Sequence, residues 1–215
     1  MIILIAHQKG GVGKSTLAVN LAAEAQRRGG DVLIAEADPT IHTARLWART
    51  RQAAGAKQIT CAKVEGNVMA DLKDLGKRYD YVVVDVAGKD SREMRSAMTA
   101  ADVMVAPILP SQPDMDSTRF LLQTIEQARD FNPKLAVLAV LNRCPTSWNS
   151  SEAQEAIDYL GDYPELPLAS VRIYDRKSYR TSIEKGLGVV ELKDGKARAE
   201  IQLLMNEILE ASNGH

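Results

Sequence analysis

The segment Gln8-Lys9-Gly10-Gly11-Val12-Gly13-Lys14-Ser15-Thr16 constrains this chain more than any other. It lies between an apolar, β-rich run at 2–6 and a helical pattern at 14–28, so a buried strand must turn sharply into a helix there. Glycines at 10, 11 and 13 permit torsions closed to other residues and, with Val12, aim backbone N–H groups at one point. The amino end of the helix adds its partial positive charge. A nucleoside triphosphate, ATP, is the anion expected in this cradle. Lys14 is placed to neutralise the β and γ phosphates, Ser15 to give its hydroxyl to Mg²⁺, and Thr16 to reach the α-phosphate.

Apolar runs at 31–37, 81–86, 103–108 and 135–141 read as further buried strands. Helical patterns at 41–54, 68–78, 92–101, 115–131, 151–160 and 197–211 fill the intervals, and 166–171 is one more candidate strand. Such alternation needs crossover connections, hence a three-layer α/β fold of the P-loop NTPase kind: a mostly parallel central sheet with helices on both faces. Ligands of such sheets bind outside the carboxyl ends of the strands. A chain of 215 residues, 45% of them hydrophobic, can bury one full core, and no repeat or low-complexity stretch marks a boundary. Residues 1–215 are therefore expected to form a single ATPase domain.

Two acids stand at the ends of predicted strands. Glu36-Ala37-Asp38-Pro39 closes the second, where Asp38 can approach both the metal and the water that attacks the γ-phosphate. Asp-Pro is also a common helix entry, and read alone Asp38 would cap the helix beginning near 41. Tyr81-Val82-Val83-Val84-Asp85 is an apolar strand ending in a carboxylate, the form expected of a group that holds the Mg²⁺ hydration shell. Cys61 and Cys144 lie far apart, outside any Cys-x-x-Cys spacing, which points away from a disulfide framework or zinc site and toward reduced cytosol. The first residues lack a signal-peptide pattern, and no stretch is long enough to span a bilayer.

The ordinary phosphate-loop pattern has glycine where this chain has Gln8, and Lys9 is an added cation. Lys9-Gly10-Gly11-Val12-Gly13-Lys14-Ser15 instead resembles the deviant phosphate loop of the ParA/MinD family of ATPases. The resemblance implies that Lys9 reaches across a homodimer to the partner's nucleotide, where a second cation offsets transition-state charge and makes dimerisation and hydrolysis interdependent. The family's segment after the second strand reads Asp-x-Asp-Pro-Gln. Asp38 matches its second acid, whereas Glu36 and Thr40 depart from the first acid and the glutamine. Val86-Ala87-Gly88 resembles the small-residue segment after the metal-shell acid, which implies a Gly88 N–H facing the γ-phosphate. Asn142-Arg143 follows the fifth predicted strand, where the family uses a side-chain amide to read the adenine edge. Pro110-Ser111-Gln112-Pro113-Asp114 resembles a rigid loop of small partition ATPases suited to a dimer contact, although Asp114 equally suits a helix cap.

The resemblance runs to Val189, and the short members without an N-terminal helix-turn-helix domain are most similar, because the first predicted strand begins at Ile2. It implies a weak MgATPase that dimerises with ATP, binds nonspecific DNA, is stimulated by a ParB-like or adaptor partner, and acts as a spatial switch for a plasmid, chromosome or other cargo. The implied location is cytoplasmic and nucleoid-associated. With a net charge of -1, any DNA surface must be a local patch. Arg172, Arg176, Lys177, Arg180, Lys185, Lys193, Lys196 and Arg198 cluster late in the chain, although ordinary helix-surface charge gives the same pattern.

Three rivals share the fold. A MinD-like membrane-positioning ATPase needs a basic amphipathic C-terminal helix, but Glu200, Glu207 and Glu210 stand beside Ile201, Leu204, Ile208 and Leu209, so no membrane contact is expected. A metal-cluster ATPase related to the nitrogenase iron protein needs paired cysteines that Cys61 and Cys144 do not match. An ATP-dependent small-molecule ligase, such as a dethiobiotin synthetase, has no use for Lys9.

Overall fold

The computed structural model describes residues 1–40, 42–110, 112–147 and 151–214, with the side chains of 112–116 outside that description. In chain order its elements are β1 (Ile2–Ile5), α1 (Lys14–Arg27), β2 (Val32–Ala37), α2 (Thr43–Ala53), β3 (Thr60–Lys63), α3 (Met69–Arg78), β4 (Tyr81–Val86) and α4 (Arg92–Met98). They continue as β5 (Val103–Ile108), α5 (Gln112–Arg129), β6 (Ala136–Leu141), α6 (Glu152–Leu160), α7 (Lys177–Lys185), a 3-10 turn (Val189–Glu191) and α8 (Gly195–Asn213).

The strands form a six-stranded sheet in the order β3-β2-β4-β1-β5-β6. Every pairing is parallel, so the sheet is wholly rather than mostly parallel among the described residues. Alternate side chains of each strand supply two cores, one per face. Ile2, Leu4 and Ala6 pack with Val82, Val84, Met94 and Leu121 on one face; Ile3 and Ile5 pack with Ile34, Val83, Leu17, Leu21, Ile201 and Leu204 on the other. Burial on both faces explains why these strands read as continuous apolar runs.

Strand β1 lies between β4 and β5, so the chain leaving β4 must cross β1 to reach β5. This reversal of strand order opens a crevice at the carboxyl end of β1, where the phosphate-type loop begins.

Three elements depart from the sequence expectation. Strand β3 has no signal in the sequence pattern: it is a four-residue edge strand, half exposed and without an apolar run. Helix α7 also escapes the pattern, since only Tyr179 and Ser182 of its residues are buried. The candidate strand at 166–171 forms only an isolated bridge, Ala139 with Leu168. Pro167 lacks the N–H needed to extend that ladder and contributes only its carbonyl, to Ala139 N.

Candidate functional site

The loop after β1 is held from both sides. Gln8, standing where the ordinary pattern has glycine, donates its amide to Thr124 Oγ1 at 2.8 Å and so ties the loop to α5. Lys9 N donates to His7 Nδ1 at 3.1 Å, and the Lys9 carbonyl accepts from Lys14 Nζ at 2.9 Å. Gly13 precedes α1 in the left-handed conformation (φ 95) and, having no side chain, gives the helix no side-chain cap. The first turn of α1 contains no acid, and its Ser15 and Thr16 line a cavity, so its amides are placed to meet an anion there. Lys14 is 6% exposed, directly beneath this space.

Gly88 closes the cradle from the β4 side. A Cβ there would come within 2.5 Å of Gly10 Cα and 3.1 Å of Lys14 Nζ, so the two loops touch only because this residue is glycine. The resulting cavity, about 590 Å³, is lined by Gly10, Gly11, Gly13, Lys14, Ser15, Thr16, Asp38 and Gly88 at the end nearest the loop. Val12 is buried under it, and Lys9, which is half-buried, is not among the lining residues.

Asp85 lies at the end of β4 and is 2% exposed. Its Oδ1 has no hydrogen-bond partner among the described residues. Burial pushes the carboxyl up to about 7, against the opposing effects of a hydrogen bond from Ser15 and the nearby Lys14 ammonium. An orphaned carboxylate oxygen beside a serine hydroxyl suits a hard divalent cation with oxygen ligands, and so the residues fit Mg²⁺. Asp38 projects into the same cavity, and its Oδ1 accepts from Thr40 N and Thr40 Oγ1, both at 2.8 Å. It does not cap α2, whose N-cap is His42.

Glu36, the residue that departs from the family pattern, is fully buried opposite Asp85 in the β2–β4 register. It accepts from Arg45 Nε at 2.6 Å and Arg45 N at 3.1 Å.

The cavity is also lined by Asn142 and Arg143, which touch the loop, and by Tyr174, Asp175, Arg180 and Ile183. Asn142 is 3% exposed, and its amide donates to the Val12 carbonyl at 2.6 Å, which engages this donor on the loop itself. Arg143 holds the left-handed conformation (φ 56) and donates to Gly11 O at 3.3 Å. Asp175 accepts from Arg180 at 2.8 Å. Of these, Tyr174, Asp175, Arg180 and Ile183 were not read as cavity residues, because only the return of the chain after β6 and the polar helix α7 brings them there.

The late basic residues divide. Arg176 is committed to Glu200 at 2.6 Å, Arg180 to Asp175, and Arg198 to the Leu192 carbonyl at 2.7 Å. Lys177, Lys185, Lys193 and Lys196 are exposed without an ion pair among the described residues, and Arg172 is half-buried. Ser111 and the Asp114 side chain, expected at a dimer contact or cap, lie outside the described residues.

Comparison with known proteins gives the family and the fold. The family described as CobQ/CobB/MinD/ParA nucleotide binding domain matches residues 3–189. The Maintenance of carboxysome distribution protein A of Halothiobacillus neapolitanus is 29% identical over 96% of this chain and 95% of its own. Its namesake in Gloeobacter kilaueensis is 33% identical, over 92% and 87%. Among solved structures, the septum site-determining protein MinD of Pyrococcus horikoshii OT3 with Mg-ADP superposes with a TM-score of 0.75 at 20% identity, covering 96% of this chain and 95% of that one.

Proposed function

The chain belongs to the CobQ/CobB/MinD/ParA nucleotide-binding family, and from that premise we propose that it is a weak, Mg²⁺-dependent ATPase that dimerises with ATP and acts as a spatial switch for a cargo. The observation that carries the reading is a convergence beside one cavity: the start of α1 and Lys14 line it, and behind Ser15, which also lines it, lies the buried Asp85 with its orphaned oxygen. Lys14 and the loop amides bind the phosphates in place. When bound, Mg²⁺ supplies charge neutralisation at the β and γ phosphates, with Ser15 and Asp85 as the residues that would hold it. Asp38 would orient the attacking water near that metal. Lys9, the added cation of this loop, would act at the partner's nucleotide, where it offsets transition-state charge.

The DNA surface in this reading narrows to Lys177 and Lys185 on α7, Lys193 in the connection before α8, and Lys196 at the start of α8. A ParB-like or adaptor protein would stimulate hydrolysis. Two relatives bear names in carboxysome distribution, which favours a carboxysome as the cargo alongside plasmid and chromosome. Membrane association is the less supported alternative. Ala197, Ile201, Leu204, Met205 and Ile208 of α8 are buried in the core, which leaves that face unavailable to lipid. No helix among the described residues is long and apolar enough to cross a membrane.

The test is retention on nonspecific duplex DNA with ATP, ADP or no nucleotide, at two salt concentrations, for wild type and Asp38→Ala. Retention only with ATP, persisting in Asp38→Ala and collapsing with salt, is expected. No retention in any state would remove the DNA-based switch and leave the nucleotide assignment standing.

A further inference from the structure

The geometry points to Arg45 as a positioning residue for Asp38, acting through the buried carboxylate of Glu36; this inference rests on the hydrolase reading above. Glu36 does not line the cavity, yet it ties together both ends of the segment that carries Asp38. That segment leaves β2 at Ala37 and enters α2 at Thr43. Helix α2 has neither a side-chain cap bond from His42 nor an acid in its first turn. Its Arg45 N–H is satisfied instead by Glu36 Oε1 at 3.1 Å, a cap supplied from the preceding strand. The Arg45 guanidinium donates to Glu36 Oε2 at 2.6 Å, and His42 Nδ1 lies 3.4 Å from the same oxygen.

A carboxylate with no solvent exposure is costly unless it is paired. The strand therefore selects one starting point for α2. Asp38, near the strand end of that segment, is held toward the cavity by the cap at the other end.

Charge pairing for stability and positioning for turnover separate in a double variant. Arg45→Met leaves Glu36 buried with its charge and should lower the thermal midpoint; adding Glu36→Gln removes that charge and should restore it. If Arg45 positions Asp38, turnover does not return with stability. The expected result for both Arg45→Met and the double variant is a kcat roughly 10-fold below wild type with a KM for ATP within about 2-fold, since a misplaced group slows chemistry without weakening phosphate binding. Arg45→Lys should recover part of the loss, and hydrogen exchange of the 42–46 amides should quicken in both slow variants. Turnover that returns together with the thermal midpoint in the double variant overturns the inference. Should wild type hydrolyse no ATP, the hydrolase reading falls on its own. Exchange then decides the pinning: faster exchange in Arg45→Met and in the double variant supports it, and unchanged exchange overturns it.

Discussion

Asp85 shows how one carboxylate can look unremarkable in sequence and be unusual in place. Its apolar strand is a common pattern, but burial lifts its carboxyl from 3.8 to about 7. Between those values the folded protein holds a proton that the unfolded chain has released, so stability falls as pH rises through that window. Calorimetry of the metal- and nucleotide-free protein should therefore find wild type losing thermal stability from about pH 5 to pH 7 relative to Asp85→Asn, whose neutral amide removes the slope. Binding of Mg²⁺ requires the ionised form, and its affinity should weaken as pH falls below about 7. At Gly88 the constraint is steric. Gly88→Ala places a methyl against the Gly10 backbone and Lys14, and should weaken ATP binding by more than tenfold in a fluorescent-nucleotide titration while leaving the fold intact. Both residues were named from sequence; the reason each matters is a contact that sequence does not display.

At the scale of elements, α2 links two distant regions. Its first turn is fixed to Glu36, and its last turn carries Arg51, 1% exposed, which pairs with Glu191 at 2.7 Å and donates to the Gly186 and Lys57 carbonyls. Trp47 adds a hydrogen bond to the Leu187 carbonyl at 3.1 Å. Helix α2 is thereby tied to the chain just after α7. Arg51→Met, which strands a partly buried Glu191 and several carbonyls, should lower unfolding free energy by about 3–5 kcal/mol in urea titration. Neither β3 nor α7 carried a readable signal. Each is stabilised by neighbours rather than by its own apolar period, β3 as an edge on β2 and α7 by packing Tyr179 against α8. Proline content, conversely, overrode the apolar run at 166–171.

For the whole molecule, a lysine acting in trans has a consequence that no single chain can show. On the proposed roles, Lys9→Ala would lack the cation that serves its partner, and Asp38→Ala would lack the group that orients water in its own site. Each should be nearly inactive alone. Mixed in equal amounts, half of the dimers pair a complete Asp38 site with an intact partner lysine, so turnover should recover to about a quarter of wild type. No recovery on mixing would place Lys9 in cis. The phosphate loop, its flanking strand and helix, the alternating architecture and the two strand-end acids were all determined by sequence alone, because each follows from local torsion, periodicity or the spacing of charges. Tertiary structure alone decided the strand order that sets β1 between β4 and β5, the tether from Gln8 to α5, the pairing of Glu36 with Arg45, and the arrival of α7 at the cavity. The physical reason is separation along the chain: these contacts join residues whose individual preferences are weak, and only burial of the two shared cores brings them within reach.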